Sequence, residues 1–110
     1  MKFFIVTCIK ENQETVQKIL RTANIRVYSS TDIVGFKDNQ NPNLLEEWFA
    51  AGDEQCDSTM IFSFTADENA ANAMNLIIDY NLQNKSDFPI RAFIVPVEKS
   101  KMNNTVLYHL

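Results

Sequence analysis

The chain has 110 residues, with 10 Lys and Arg against 14 Asp and Glu, a formal net charge of −4 at pH 7, and 45% hydrophobic residues. That length suffices for one two-layer core and is too short for two. The acidic balance disfavours a partner such as nucleic acid, whose phosphates are bound by clustered Lys and Arg.

In chain order, Lys2 to Ile9 alternates Phe3, Ile5, Thr7 with Phe4, Val6, Cys8. Both faces are largely apolar, which predicts a central strand covered on two sides, one by helices and one by a partner. The run is broken by Thr7 and Cys8 and followed at once by Lys10 and Glu11, so it reads as a strand and not as a signal segment. No stretch approaches the roughly 20 apolar residues of a membrane-spanning helix. The expectation is a cytoplasmic protein with no membrane insertion, in which Cys8 and Cys56 stay reduced.

Asn12 to Ala23 places Val16, Ile19, Leu20 and Ala23 at three- and four-residue spacing, an amphipathic helix that Asn24 ends. Val27 to Phe36 and Met60 to Thr65 are rich in β-branched and aromatic residues and read as the two middle strands. Thr65-Ala66-Asp67-Glu68 has capping-box spacing ahead of Ala70, Ala73, Met74, Ile77, Ile78 and Leu82, a second helix. Phe88-Pro89 breaks it, and Ile90 to Val97 is the last strand, ended by Pro96 and Glu98-Lys99.

The order strand, helix, strand, strand, helix, strand predicts an α+β fold: a ferredoxin-like βαββαβ sandwich, with a four-stranded antiparallel sheet and two helices on one face. It forms a single domain over 1–110, with a long loop 37–58 and a tail 100–110 that is polar and then apolar. Connections as long as that loop are usually functional. Pro42 to Ala50 reads as a short helix with Gly52 at its end, and Leu44, Leu45, Trp48 and Phe49 within it require burial, either against another subunit or against a partner protein.

Two strings carry a resemblance. Ile33-Val34-Gly35-Phe36 resembles the Val-Lys-Gly-Phe-Gly of the PII signal-transduction family, and Phe93-Ile94-Val95-Pro96-Val97-Glu98 resembles that family's Phe-Val-x-Pro-Val-Glu. The resemblance implies a homotrimer that binds an adenine nucleotide between subunits and engages a protein partner, such as a membrane transporter or a regulatory enzyme, through the loop after the second strand. It assigns Ser29, Gly35, Phe36, Lys37, Arg91, Lys99 and Lys101 to the ligand. The departures are specific. Where the family has a glycine-rich loop whose N–H groups wrap phosphates, this chain reads Asn84-Lys85-Ser86-Asp87-Phe88-Pro89-Ile90-Arg91, without glycine. Lys99 and Lys101 replace forked arginines with point charges. An anion bound in another way, a nucleotide or bicarbonate, is therefore expected in place of a cradled triphosphate. The 37–58 loop also lacks a tyrosine to be modified.

Other chemistry is sparser. Asp53, Glu54, Cys56 and Asp57 with the distant His109 offer carboxylate, thiolate and imidazole ligands, but at no established metal spacing. They leave open a metal-tolerance or efflux-associated protein in which Asp53, Cys56 and His109 collect a soft cation. His109 is the sole histidine, no Ser or Cys occupies a nucleophile elbow, and Glu46 and Glu47 point in different directions from one helix. A small ferredoxin-like enzyme is thus the weaker alternative to a non-enzymatic sensor, and the element order serves all three.

Overall fold

The computed structural model describes residues 1–36, 55–102 and 105–108. Its elements are β1 (Lys2–Ile9), a 3₁₀ turn (Lys10–Asn12), α1 (Gln13–Thr22), β2 (Ser29–Phe36), β3 (Gln55–Thr65), α2 (Asp67–Gln83), β4 (Arg91–Pro96), β5 (Lys99–Met102) and β6 (Thr105–Tyr108). The first four strands form one antiparallel sheet in the order β2-β3-β1-β4, and β5 and β6 pair as a separate hairpin. The fold is therefore α+β, with a four-stranded antiparallel sheet and two helices. The expected helix at Pro42 to Ala50, including Leu44, Leu45, Trp48 and Phe49, lies outside the described residues.

Alternation along β1 divides the sheet into two faces. Phe4, Val6 and Cys8 are buried together with Ile61 of β3, Val16 and Leu20 of α1, and Ala70, Ala73 and Ile77 of α2, in one core that covers one side of the sheet. Removing a Leu, Ile or Phe side chain from water contributes roughly 1.5–3 kcal/mol each. Burial raises the Cys8 thiol to about 11, so Cys8 acts as a small core hydrophobe and not as a nucleophile.

Asn24 closes α1 as expected, at φ 63°. Its N–H donates to Arg21 O at 3.0 Å, and the Ile25 N–H donates to Leu20 O at 2.8 Å. Those two bonds form a Schellman motif, whose apolar partners Leu20 and Ile25 are both buried. The start of α2 differs from the expected capping box. Ala66 occupies the cap position without a side-chain bond, because Thr65 still belongs to β3, where it pairs with Lys2. Asp67 and Glu68 in the first turn supply the negative charge that suits a helix N-terminus.

β3 begins at Gln55, five residues ahead of the expected Met60, and the polar Gln55 to Thr59 pair with Asp32 to Phe36 of β2. The tail likewise contains a hairpin, since Lys99 to Met102 pair with Thr105 to Tyr108. Within the lengthened β3, the Thr59 hydroxyl is buried on the helix side and is the one buried side-chain oxygen or nitrogen among the described residues with no partner. Thr59→Val removes it at nearly constant shape. The expected outcome is an increase of about 1 kcal/mol in unfolding free energy by chemical denaturation, and a loss would mean that the hydroxyl has a partner.

Candidate functional site

Among the described residues, no helix covers the second face of the sheet. Register aligns the residues of this face in rows across the strands: Ser29, Phe62, Ile5, Phe93; then Thr31, Met60, Thr7, Arg91; then Ile33, Ser58, Ile9. The Phe3 ring stacks on Phe64 with centroids 4.7 Å apart and meets Phe62 edge-on at 5.8 Å, both favourable aromatic geometries. Even so, Phe64 remains 53% exposed and Val95 42%. Phe64, Phe93 and Val95 give one end of this face an exposed apolar surface of the kind that marks an interaction site, whereas Thr7 and Ser58 in the next rows are buried.

The ligand residues expected from sequence fall along this sheet, though not at one point. Ser29 and Gly35 stand on the β2 edge and Arg91 at the start of β4, three strand spacings away, roughly 15 Å across the sheet. Phe36 ends β2 opposite Gln55, and Lys37 lies outside the described residues. Lys99 and Lys101 occupy alternate positions of β5, opposite Tyr108 and Val106. A small ligand touching both Ser29 and Arg91 would have to bridge two copies of the chain.

Local structure around Arg91 follows from its neighbours. The Asn81 amide of α2 donates to Ile90 O at 2.8 Å and accepts from the Ile90 N–H at 3.1 Å, holding the entry to β4 as a strand partner would. The Phe88 N–H donates to Ser86 Oγ at 3.0 Å, and Arg91 Nη1 donates to Pro89 O at 3.4 Å. At three consecutive positions the backbone donor is therefore occupied or missing: Phe88 bonds Ser86, Pro89 has no N–H, and Ile90 bonds Asn81. With Ile90 only 3% exposed, this loop cannot wrap phosphates with amides as a glycine-rich one does. The cleft beside it, about 280 Å³, is lined by Asn12, Tyr80, Asn84, Lys85 and Phe88 among others.

On the helix side, Lys10 Nζ lies 3.4 Å from Asp32 Oδ2, an exposed pair that contributes little to stability. Of the candidate metal ligands, Asp53 and His109 lie outside the described residues and Cys56 is placed in β3 opposite Gly35. Among the described residues no three His, Cys, Asp or Glu side chains gather to hold a metal, and no helix is long and apolar enough to cross a membrane. The Asn81 bridge to Ile90 has no distinctive signal in the sequence, where Asn81 is one of several asparagines near a helix end.

Compared with known proteins, the chain matches no family model and no curated protein sequence.

Proposed function

We propose that this chain is a non-enzymatic regulatory protein of the PII-like kind, with a ferredoxin-like fold. Three copies close around their helix-free sheet faces in the cytoplasm, a small anionic ligand binds where two copies meet, and the 37–58 loop reports occupancy to a protein partner such as a membrane transporter or regulatory enzyme. The observation that carries the reading is the arrangement of the helix-free face. It is too apolar to be left in water, and its polar and basic residues stand at opposite edges, so that Arg91 of one copy approaches Ser29 and Gly35 only of another.

The occupied amides at 88–90 favour a compact anion such as bicarbonate, or a nucleotide held by side chains, over a triphosphate cradled by backbone. The ligand acts by population shift: contacts made in one arrangement of the loop and not in the other bias the equilibrium between them. Arg91 supplies the forked donor for the anion, with Lys37, Lys99 and Lys101 as further cations.

Arg91→Ala tests this directly. Circular dichroism and the melting temperature of the same variant separate an effect on binding from an effect on the fold. Affinity for the best anion in a panel of ATP, ADP, AMP, cyclic AMP and bicarbonate should fall at least about tenfold by calorimetry, the order expected for losing a charge-assisted contact. Unchanged affinity would remove Arg91, and with it the proposed cleft.

A further inference from the structure

We propose that β4 joins a second copy of the chain edge to edge about a two-fold axis, through a surface separate from the helix-free face. The Val97 N–H donates to Met1 O at 3.4 Å, continuing the pairing of Lys2 with Pro96. Hydrogen-bonded and non-bonded pairs alternate along an antiparallel ladder. Arg91, Phe93 and Val95 therefore turn their backbone groups to β1, while Ala92, Ile94 and Pro96 turn theirs outward. Pro96, which has no N–H, sits at one of the outward positions, as an edge proline should.

That outward edge matches itself. In a second copy running antiparallel with Ile94 opposite its counterpart, each Ile94 N–H meets the other Ile94 carbonyl and each Ala92 N–H meets the other Pro96 carbonyl. No outward N–H is left unmet. The same register sets Arg91 of each copy opposite Val97 of the other, so no like charges meet along the edge. Along this edge Ala92 to Val97 carries no charge, and Ile94, on the helix side of the strand beside Phe4, is 36% exposed. The opposite edge of the sheet is guarded. β2 presents exposed Ser29, Ser30, Thr31 and Asp32, the polar and charged side chains that keep edges from pairing.

The patch continues into the helix layer, and this identifies the occupant. Asn69 lies on the flank of α2 that meets α1, where its amide is 3.5 Å from Asn24 O. Ile78, nine residues on, is half a turn around the helix at roughly 100° per residue, and Leu82 follows one turn later. Both therefore lie on the flank away from α1, over the β4 side, and they are 48% and 66% exposed. An extended peptide would cover the strand edge and leave Ile78 and Leu82 in water. A second copy brings its own α2 at the same height above its own β4. The exposed Ile78, Leu82 and Ile94 of one copy then lie beside those of the other, so apolar burial and backbone pairing occur in one contact.

Light scattering on the purified full chain, coupled to gel filtration, tests the proposal. The expected subunit number is even, six if the helix-free faces also close around a three-fold axis and two if they do not. Ile94→Pro removes an outward N–H while sparing the bonds to β1, and Leu82→Glu charges the helix flank. Each should halve the subunit number with the far-ultraviolet circular dichroism unchanged. If Ile94→Pro fails to fold, Leu82→Glu decides alone. An odd wild-type number, or Leu82→Glu leaving the number unchanged, overturns the edge pairing. A wild-type trimer would do so while supporting the proposed closure of the sheet faces, and a dimer would do the reverse.

Discussion

Phe64→Glu is expected to reduce the subunit number to one third of the wild-type value while the fold survives. Phe64 stands in β3 on the helix-free face, 53% exposed and stacked on Phe3 at 4.7 Å, so in a single chain the carboxylate reaches water at small cost. In the proposed assembly the same carboxylate would be buried among Phe, Ile and Val side chains, a penalty of several kcal/mol for each unpaired charge. Repeated at every copy around the axis, that exceeds what an interface of ordinary size withstands. Light scattering reads the subunit number and circular dichroism the fold. An unchanged mass would mean that the helix-free face is not the contact, and with it would go the argument that brings Arg91 to the β2 edge of a neighbour.

The second large effect is expected at Asn81. Its amide makes two hydrogen bonds to Ile90, at 2.8 and 3.1 Å, in a partly buried setting. Asn81→Ala leaves the Ile90 N–H and carbonyl without their partner beside a residue that is 3% exposed. The expected loss is about 2–3 kcal/mol, since a buried polar group left unmet costs about 1–3 kcal/mol. That corresponds to a fall in melting temperature on the order of 10 °C for a domain of this size. Asn81→Asp separates the two bonds, because the carboxylate still accepts from the Ile90 N–H and can no longer donate to its carbonyl. Its loss should lie between those of wild type and Asn81→Ala. Equal stability of all three proteins would show that β4 needs no such anchor, and the orientation of Arg91 would then need another cause.

The legibility of this fold in the sequence divides along physical lines. Periodic burial is legible: Val16 and Leu20 at helical spacing and the two apolar faces of β1 are enough to locate the core and the helix-free face. So is Asn24, because a residue that tolerates positive φ where a helical stripe ends is a local signal. Cross-strand pairing is not. Gln55 to Thr59 are polar and lack the alternation of a half-buried strand, and they are ordered as β3 by the ladder with β2, which no local pattern records. The β5–β6 hairpin is hidden for the same reason.

Ile78 and Leu82 are a different case. Their spacing predicts burial, yet both are exposed, and the proposed edge interface would restore the burial that the pattern implies. At the candidate site, the loss of glycine from 84–91 is legible as a weakened phosphate loop. The reason in atoms is not, because the donors at Phe88 and Ile90 are occupied by Ser86 and by a side chain from the preceding helix.

The most direct test of a ligand site shared between copies is a thermal-shift titration of wild type and Phe64→Glu against the nucleotide and bicarbonate panel, because a ligand that binds the native state raises its melting temperature by mass action. A site shared between copies requires a concentration-dependent rise for at least one anion in the wild-type protein and none in the dissociated variant. An equal rise in both proteins would locate the site within a single chain, and no rise in either would mean that the cleft binds none of these anions; either result rules out an anion site shared between copies.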